Sequence, residues 1–293
     1  MPQAEEWTIG QLLEWTTEYL KEQGSDSPRL DAEILLAEAC SCERIDLYTA
    51  FNREAKESVR VAFKELVRRR AEGTPVAHLV GRREFYSLMF RVTPDVLIPR
   101  PETEHVVIAV LDLLKERNGQ PTEIADVGTG SGIIAVSIAK HAPQCRVTAI
   151  DVSTAALEIA RKNVDRHGVA DQVSLLEGNL LEGLSSEKRL DFVVSNPPYV
   201  SEAELRESAR EVRDHEPHVA LLGGPTGIEV IARLVPQAAD RLHPGGWLIM
   251  ECSPMIEPNV RDLIATSGQF EAATTDKDLA GLPRVVKAQK RAS

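Results

Sequence analysis

Residues 123–141, "EIADVGTGSGIIAVSIAKH", decide the fold. An apolar, partly β-branched run ends in glycines at 128, 130 and 132, and an apolar stretch with helical spacing follows. This is a strand, a tight turn and a helix. Glycines at alternate positions let the backbone turn sharply and let a ligand approach it closely. The helix start that follows offers unpaired N–H groups. The spacing is G-x-G-x-G, not the G-x-G-x-x-G of a dinucleotide pyrophosphate site. No Gly-Lys-Ser/Thr follows, so it is not a P-loop either. A plain strand-to-helix turn would look the same, so the loop alone decides nothing about chemistry.

Downstream the pattern repeats. "CRVTAID" (145–151) reads as a strand and "STAALEIARKNVDRHG" (153–168) as a helix. "QVSLLEG" and "LDFVVSN" read as strands. "GIEVIARLVPQAADRL" (227–242) is helical, with a kink expected at Pro236. "GGWLIMEC" is a strand, "PNVRDLIATSG" a helix, and "FEAATTD" and "PRVVKAQ" are the last two strands. Such alternation predicts an α/β fold, a mostly parallel, Rossmann-like sheet with helices on both faces. Seven strands are expected. No long crossover separates the last two, so they should pair antiparallel.

Upstream, residues 1–73 read as a small helical bundle. Thr8 can cap "IGQLLEWTTEYLKEQ", which Gly24 stops; Ser27 and Pro28 open "RLDAEILLAEAC". "NREAKESVRVAFKELVRRRAEG" (52–73) carries Val59, Phe63, Leu66 and Val67 on one stripe. Residues 74–98, rich in β-formers and broken by Gly81 and Pro94, predict a β-hairpin linker. "RPETEHVVIAVLDLLKER" starts a helix, and 99–293 forms the α/β domain.

A chain of 293 residues allows two domains, and 43% apolar content is enough for a real core. The net charge of −11 argues against gripping a nucleic acid backbone, which usually needs a basic face. The dense basic cluster, Arg68–Arg70 with Arg82–Arg83 close behind, reads as the solvated end of a helix, where cations suit the dipole. The other reading is a contact with an acidic or RNA-containing partner. Cys40, Cys42, Cys145 and Cys252 form no C-x-x-C pair, and no histidine cluster has ligand spacing. Neither a disulfide framework nor a zinc site is expected; buried free thiols in a reducing, cytoplasmic compartment are. "MPQAEEW" is no signal peptide, and no apolar run approaches the ~20 residues of a membrane span.

Asp151 ends the second strand about 20 residues after the glycine loop, and adjacent strand ends in an open α/β sheet share one crevice. A carboxylate there can accept both ribose hydroxyls of a nucleoside, and it can also cap the helix that follows. In "EGNL" (177–180), Asn179 or the backbone of Leu180 can meet the base. "SNPPYV" (195–200) ends the fourth strand. Pro197 and Pro198 stiffen the loop and hold their preceding residues extended. The Asn196 side-chain oxygen and the Pro197 carbonyl are then two acceptors suited to one planar NH2 group, with Tyr199 over its face. An amide nitrogen is a poor nucleophile because its lone pair is delocalised. Accepting both N–H bonds enriches it and aims it at an electrophile. The same demand rejects carboxylates and alcohols.

"DVGTGSG", "AID" and "SNPPY" resemble the class I S-adenosylmethionine methyltransferases that modify planar amide or exocyclic nitrogens. "LIPRPETE" (97–104), "EPHVALLGGPTGIE" (216–229), "LAGLPRVV" (279–286) and the helical region are similar to the protein-(glutamine-N5) methyltransferase family. The resemblance covers essentially the whole chain. It implies S-adenosylmethionine as cofactor, with S-adenosylhomocysteine as product. Gly128, Thr129, Gly130, Ser131 and Gly132 would contact its methionine end and ribose, Asp151 the ribose hydroxyls, and Leu180 the adenine region. Asn196, Pro197, Pro198 and Tyr199 would hold the substrate amide, Asn196 also bordering the cofactor. The "RPETE" form is similar to the branch that methylates the Gly-Gly-Gln glutamine of peptide chain release factors. The helical region would then grip the protein substrate, with no DNA or membrane partner, and the enzyme would be a monomer. The chain departs from the family in Asn179, where an Asp is usual, in "ECS" at 251–253, and in His78, where a tyrosine often stands. The alternatives are a nucleic acid adenine amino-methyltransferase, a ribosomal-protein glutamine methyltransferase, and a non-catalytic S-adenosylmethionine-binding module.

Overall fold

The computed structural model describes residues 7–292. Two compact units divide the chain. One runs through Arg82 and includes Arg210–His215; the other is Arg83–Ala209 with the chain from Glu216 onward.

The first unit is helical: α1 (Ile9–Glu22), α2 (Pro28–Cys40), α3 (Arg44–Thr49), α4 (Glu57–Ala71) and α5 (Val76–Val80). Thr8 and Gln11 cap α1 reciprocally, side chain to backbone in both directions. Ser27 stands at the N-cap of α2, but its side chain makes no capping bond. Ser25 Oγ instead donates to Asp31 at 2.8 Å. Leu13, Leu20, Leu35, Leu36, Leu47 and Phe63 form the core. Gly10 is required there, because a Cβ would sit 2.3 Å from the Phe51 ring. Helix α3 has no signal in the sequence, since six residues are too few to show a period. Helix α5 occupies the start of the stretch expected to be strand.

The basic cluster divides. Arg68 is exposed and pairs with Glu65 and Glu72 on its own helix. Arg70 is buried between Asp31, at 2.7 Å, and Glu211, at 2.5 Å. It is therefore not a solvated helix end but a structural cation, one that would leave two carboxylates unpaired if lost.

From Arg82, the last residue of the first unit's opening stretch, the chain forms a hairpin (Arg82–Phe85 with Leu88–Arg91), and in the second unit a 3-10 turn (Pro101–Thr103) and α6 (Glu104–Glu116) follow. Then come β1 (Thr122–Val127), α7 (Ile133–His141), β2 (Cys145–Asp151), α8 (Thr154–His167), β3 (Val173–Glu177), β4 (Leu190–Ser195), β5 (Leu242–Glu251), β6 (Thr274–Lys277) and β7 (Pro283–Gln289). These strands form one sheet in the order 3-2-1-4-5-7-6. β7 alone runs antiparallel, to β5 on one side and β6 on the other. Val106, Val110, Ile134 and Ile138 fill one face of the sheet, and Leu234, Val235, Val260 and Ile264 the other. The helix Glu229–Arg241 continues through Pro236 as a single element.

The order reverses between β1 and β4, so their outgoing loops diverge to opposite faces and leave a crevice at their carboxyl ends. The register makes those ends level, with Val127 opposite both Ile150 and Ser195. Cys145 and Cys252 are buried as expected, while Cys40 and Cys42 are half-buried; all four are free. Among the described residues no helix is long and apolar enough to cross a membrane, and no group of side chains could hold a metal ion.

Candidate active site

The glycine loop closes onto β2: Gly128 and Thr129 both donate their N–H to the Ile150 carbonyl, at 2.8 and 2.9 Å. Gly128, Gly130 and Gly132 all have left-handed φ, at 72°, 54° and 82°, which only glycine adopts without strain. Beneath the loop lies Asp126, fully buried. Its Oδ2 accepts from Thr129 Oγ1 at 2.6 Å and from the Ala135 N–H at 3.1 Å. This ties the strand end to the first turn of α7. Oδ1 has no partner among the described residues. Burial pushes the Asp126 carboxyl up to about 7.

Asp151 stands at the end of β2. Its Oδ2 accepts from Gly130 N–H at 2.8 Å and its Oδ1 from Ser153 N–H at 2.9 Å. Burial raises its pKa, and those backbone bonds oppose the rise. Ser153, not Asp151, caps α8. After β3, Leu180 has φ 58°, a costly conformation for a side chain of that size.

A cavity of about 420 Å³ opens at these strand ends. Gly128, Thr129, Gly130, Ser131, Asp151, Asn179, Leu180, Asn196 and Pro198 line it, with Arg100 and Thr103 among the residues opposite. Of the residues singled out in the sequence, Gly132, Pro197 and Tyr199 do not line it. Gly132 is the N-cap of α7, where a Cβ would press on Ala160 at 3.3 Å. Pro197 is buried. The Tyr199 hydroxyl donates to Glu251 Oε1 at 3.1 Å. Burial, with the carboxylate beside it, drives the Tyr199 pKa far up. Burial likewise raises that of Glu251, while the hydroxyls of Thr103 and Tyr199 hold it down.

Thr103 was not foreseen. Its hydroxyl accepts from Asn196 Nδ2 at 3.1 Å, across 93 residues of sequence. The stretch "RPETE" now has local reasons. Arg100 pairs with buried Glu216, whose Oε2 also accepts from Ile98 N–H at 3.1 Å. Pro101 opens a helical turn, Thr103 meets Asn196, and Glu104 Oε1 accepts from Tyr86 N–H at 2.8 Å in the strained hairpin turn.

Gly223 and Gly227 were missed as well. A Cβ on Gly223 would sit 2.6 Å from the Pro198 carbonyl oxygen, and one on Gly227 would sit 2.5 Å from that of Tyr199. Val200–Ser201 pairs with Leu222–Gly224 just beyond. The proline loop therefore rests on bare backbone. No spacing rule reveals this, although "GGPTG" at 223–227 is the kind of stretch in which close approach occurs.

Two family models match the chain: the PrmC N-terminal domain over residues 11–81 and the methyltransferase small domain over residues 108–212. A Rhodopirellula baltica protein named release factor glutamine methyltransferase is 51% identical over 287 residues, covering 97% of each chain. A protein of the same name from Koribacter versatilis is 40% identical over 286 residues, covering 98% of this chain and 100% of its own. Among solved structures, a T. thermophilus 16S rRNA N2 G1207 methyltransferase in complex with AdoMet and guanosine matches with TM-score 0.54 at 21% identity, over 72% of this chain and 50% of that one. That last likeness is one of fold.

Proposed function

Because this chain belongs to the release factor glutamine methyltransferase family, we infer that it methylates the side-chain amide nitrogen of the Gly-Gly-Gln glutamine in peptide chain release factors, with S-adenosylmethionine as donor. The cavity residues suit that cofactor. Left-handed glycines keep side chains off the floor, and α7 presents its first N–H groups nearby. Each Asp151 oxygen accepts one backbone N–H, which leaves lone pairs for ribose hydroxyls. Leu180 and Asn179 would face the adenine. When bound, S-adenosylmethionine supplies an electrophilic methyl group on a sulfonium sulfur.

The chain's own part is to hold the amide. Asn196, on the cavity wall, accepts one of its N–H bonds through Oδ1, and the carbonyl of Pro197, a residue set behind that wall, is the acceptor assigned to the other, so the nitrogen lone pair is enriched and points at the donor. Pro198, on the cavity wall, borders its face, with Tyr199 assigned behind it, its hydroxyl tied to Glu251. No base is needed before transfer, because the extra proton leaves afterwards. One observation carries this reading: Asn196 and the glycine loop line the same cavity.

We assign residues 1–73 to receiving the release factor, 74–98 to linking, and 99–293 to the chemistry. What supports this is that the cavity is lined wholly by residues of the second unit, while the first has a core of its own. The enzyme works as a monomer in the cytoplasm, where its substrate acts, and binds no DNA or membrane. Mass spectrometry of release factor incubated with enzyme and cofactor tests the function. One added methyl on the glutamine amide is expected. Label appearing instead in duplex DNA, or on no protein, would overturn it.

A further inference from the structure

The stretch "LAGLPRVV" (279–286) has no part in the cavity, and its first residue is fully exposed. It belongs to a turn, residues 278–282, that joins β6 to β7. The turn is fixed by its own bonds. Asp278 Oδ1 accepts from the N–H of Ala280 and of Leu282, each at 2.9 Å, and Oδ2 accepts from Arg284 Nε at 2.8 Å. The Asp278 N–H donates to the Leu282 carbonyl and the Gly281 N–H to that of Asp278, both at 2.9 Å. Nothing in this bonding calls for an apolar side chain at 279, yet a leucine stands there in water.

Its place gives a reason. β5 runs parallel to β4, with Met250 beside Ser195, and β7 runs antiparallel to β5, with Val285 beside Glu251. The turn before β7 therefore stands at the same sheet edge as Asn196, two strands away, or about 10 Å at the usual strand spacing. Among the described residues of the second unit, the large apolar side chains left exposed are Ile108, Val152, Val219, Met255, Leu279 and Leu282. All but Ile108 lie on that edge. Val152 and Val219 line the cavity itself, Met255 follows β5, and Leu279 and Leu282 are in the turn. A single exposed leucine is ordinary. Gathering such side chains on the one edge that carries the cavity marks a surface to be covered.

We propose that the 278–282 turn is a docking knob for the release factor: Leu279 enters an apolar hollow on that protein beside its Gly-Gly-Gln segment, and Leu282 and Met255 close around it. This rests on the function inferred above. A protein that lowers a glutamine onto Asn196 must lie across this edge, so the apolar side chains continue the surface it has to cover. The cations of β7 are spent inwards, Arg284 on Asp278 and Lys287 on Asp276. That suits an apolar protein surface rather than a phosphate backbone. A turn already held by its own bonds loses little freedom on binding.

Three variants of the full chain test it: Leu279→Ser, Leu279→Met, which keeps an apolar tip, and Ile108→Ser, which removes an exposed apolar side chain away from the edge. Because Leu279 is fully exposed, its loss leaves the fold intact. KM and kcat are measured on whole release factor and on a short Gly-Gly-Gln peptide. Leu279→Ser should raise KM for the whole factor by about tenfold, the lower end of what burying one leucine is worth. Its kcat on the whole factor, and both constants on the peptide, should stay at wild-type values. Leu279→Met should keep KM for the whole factor within about twofold of wild type, and Ile108→Ser should change neither substrate's KM. Leu279→Ser with a wild-type KM for the whole factor, an equal rise on the peptide, or an equal rise in Ile108→Ser overturns the proposal. So does a wild-type dimer in sedimentation that Leu279→Ser dissolves, since the turn would then belong to a second copy. Wild type failing to methylate the peptide would instead overturn the inferred function, a failure visible before any variant is made.

Discussion

In the reading proposed here Asn196 carries more of the chemistry than any other side chain, as an acceptor rather than as an acid or base. Asn196→Ala should abolish turnover while S-adenosylhomocysteine binding, measured by calorimetry, stays close to wild type. Turnover surviving at the wild-type rate would remove the acceptor pair. Asp126 behaves differently. It keeps its proton up to about 7 in the folded chain, against 3.8 as an ordinary carboxyl. A carboxyl raised on folding contributes stability that is full below the lower value and is lost as pH rises towards the upper one. Thermal midpoints of wild type and Asp126→Asn, compared from pH ~4 to ~7, should therefore diverge, with wild type losing ground as pH rises. Parallel curves would mean that Asp126 titrates normally. The sequence marked Asn196, Asp151 and the glycines because each has a distinctive chemistry at a strand end. It was silent on Thr103 and Glu251, whose relevance comes from meeting Asn196 and Tyr199 across the fold.

Among the elements, the strands and long helices of the second unit were readable because burial on both sides puts apolar neighbours side by side, Ile124–Ala125 in β1 and Phe192–Val194 in β4. Helix α3 and the short helix α5 were not, being too short for a period to appear. Pro236 stands inside its helix, whose apolar stripe, Ile231, Leu234, Val235 and Ala238, runs on past the proline. The proline loop after β4 depends on an element with no side chains to advertise it. Gly223→Ala should push against the Pro198 and Gly227 carbonyls. The variant is expected to lose turnover, read as kcat on a release factor peptide, while keeping its cofactor affinity. Gly227→Ala adds a left-handed φ of 85° to the same crowding. Its further cost to stability should be about 1–2 kcal/mol, measured by denaturant unfolding.

For the whole molecule, the sequence distinguished a helical part from an α/β part because apolar residues three and four apart give way, past residue 123, to β-branched runs alternating with helical ones. It did not show that Arg210–His215 groups with the helical unit, through the Arg70–Glu211 pair. A contact between an arginine and a glutamate so far apart in the chain leaves no pattern to read. If the helical unit receives the release factor, its exposed aromatic surface is where the effect should appear. Trp15 stacks on Tyr19 at 5.1 Å and is still 53% exposed. Trp15→Ala should raise KM for whole release factor by about tenfold, as an exposed aromatic anchor at an interface commonly does, and leave KM for a short glutamine peptide unchanged. Equal effects on both substrates would remove the unit from recognition.

The reversal of strand order between β1 and β4 has a consequence for how such an enzyme can change. The segments that would seat the donor leave β1, β2 and β3, and the segment that would seat the acceptor leaves β4, with only the sheet between them. A lineage could therefore exchange the turn beyond residue 195 for one shaped to another flat amine without retouching the nucleoside half. The cost would fall on the new turn's own footing, since whatever replaces it must find, as Pro198 and Tyr199 do, a neighbour bare enough to lie against.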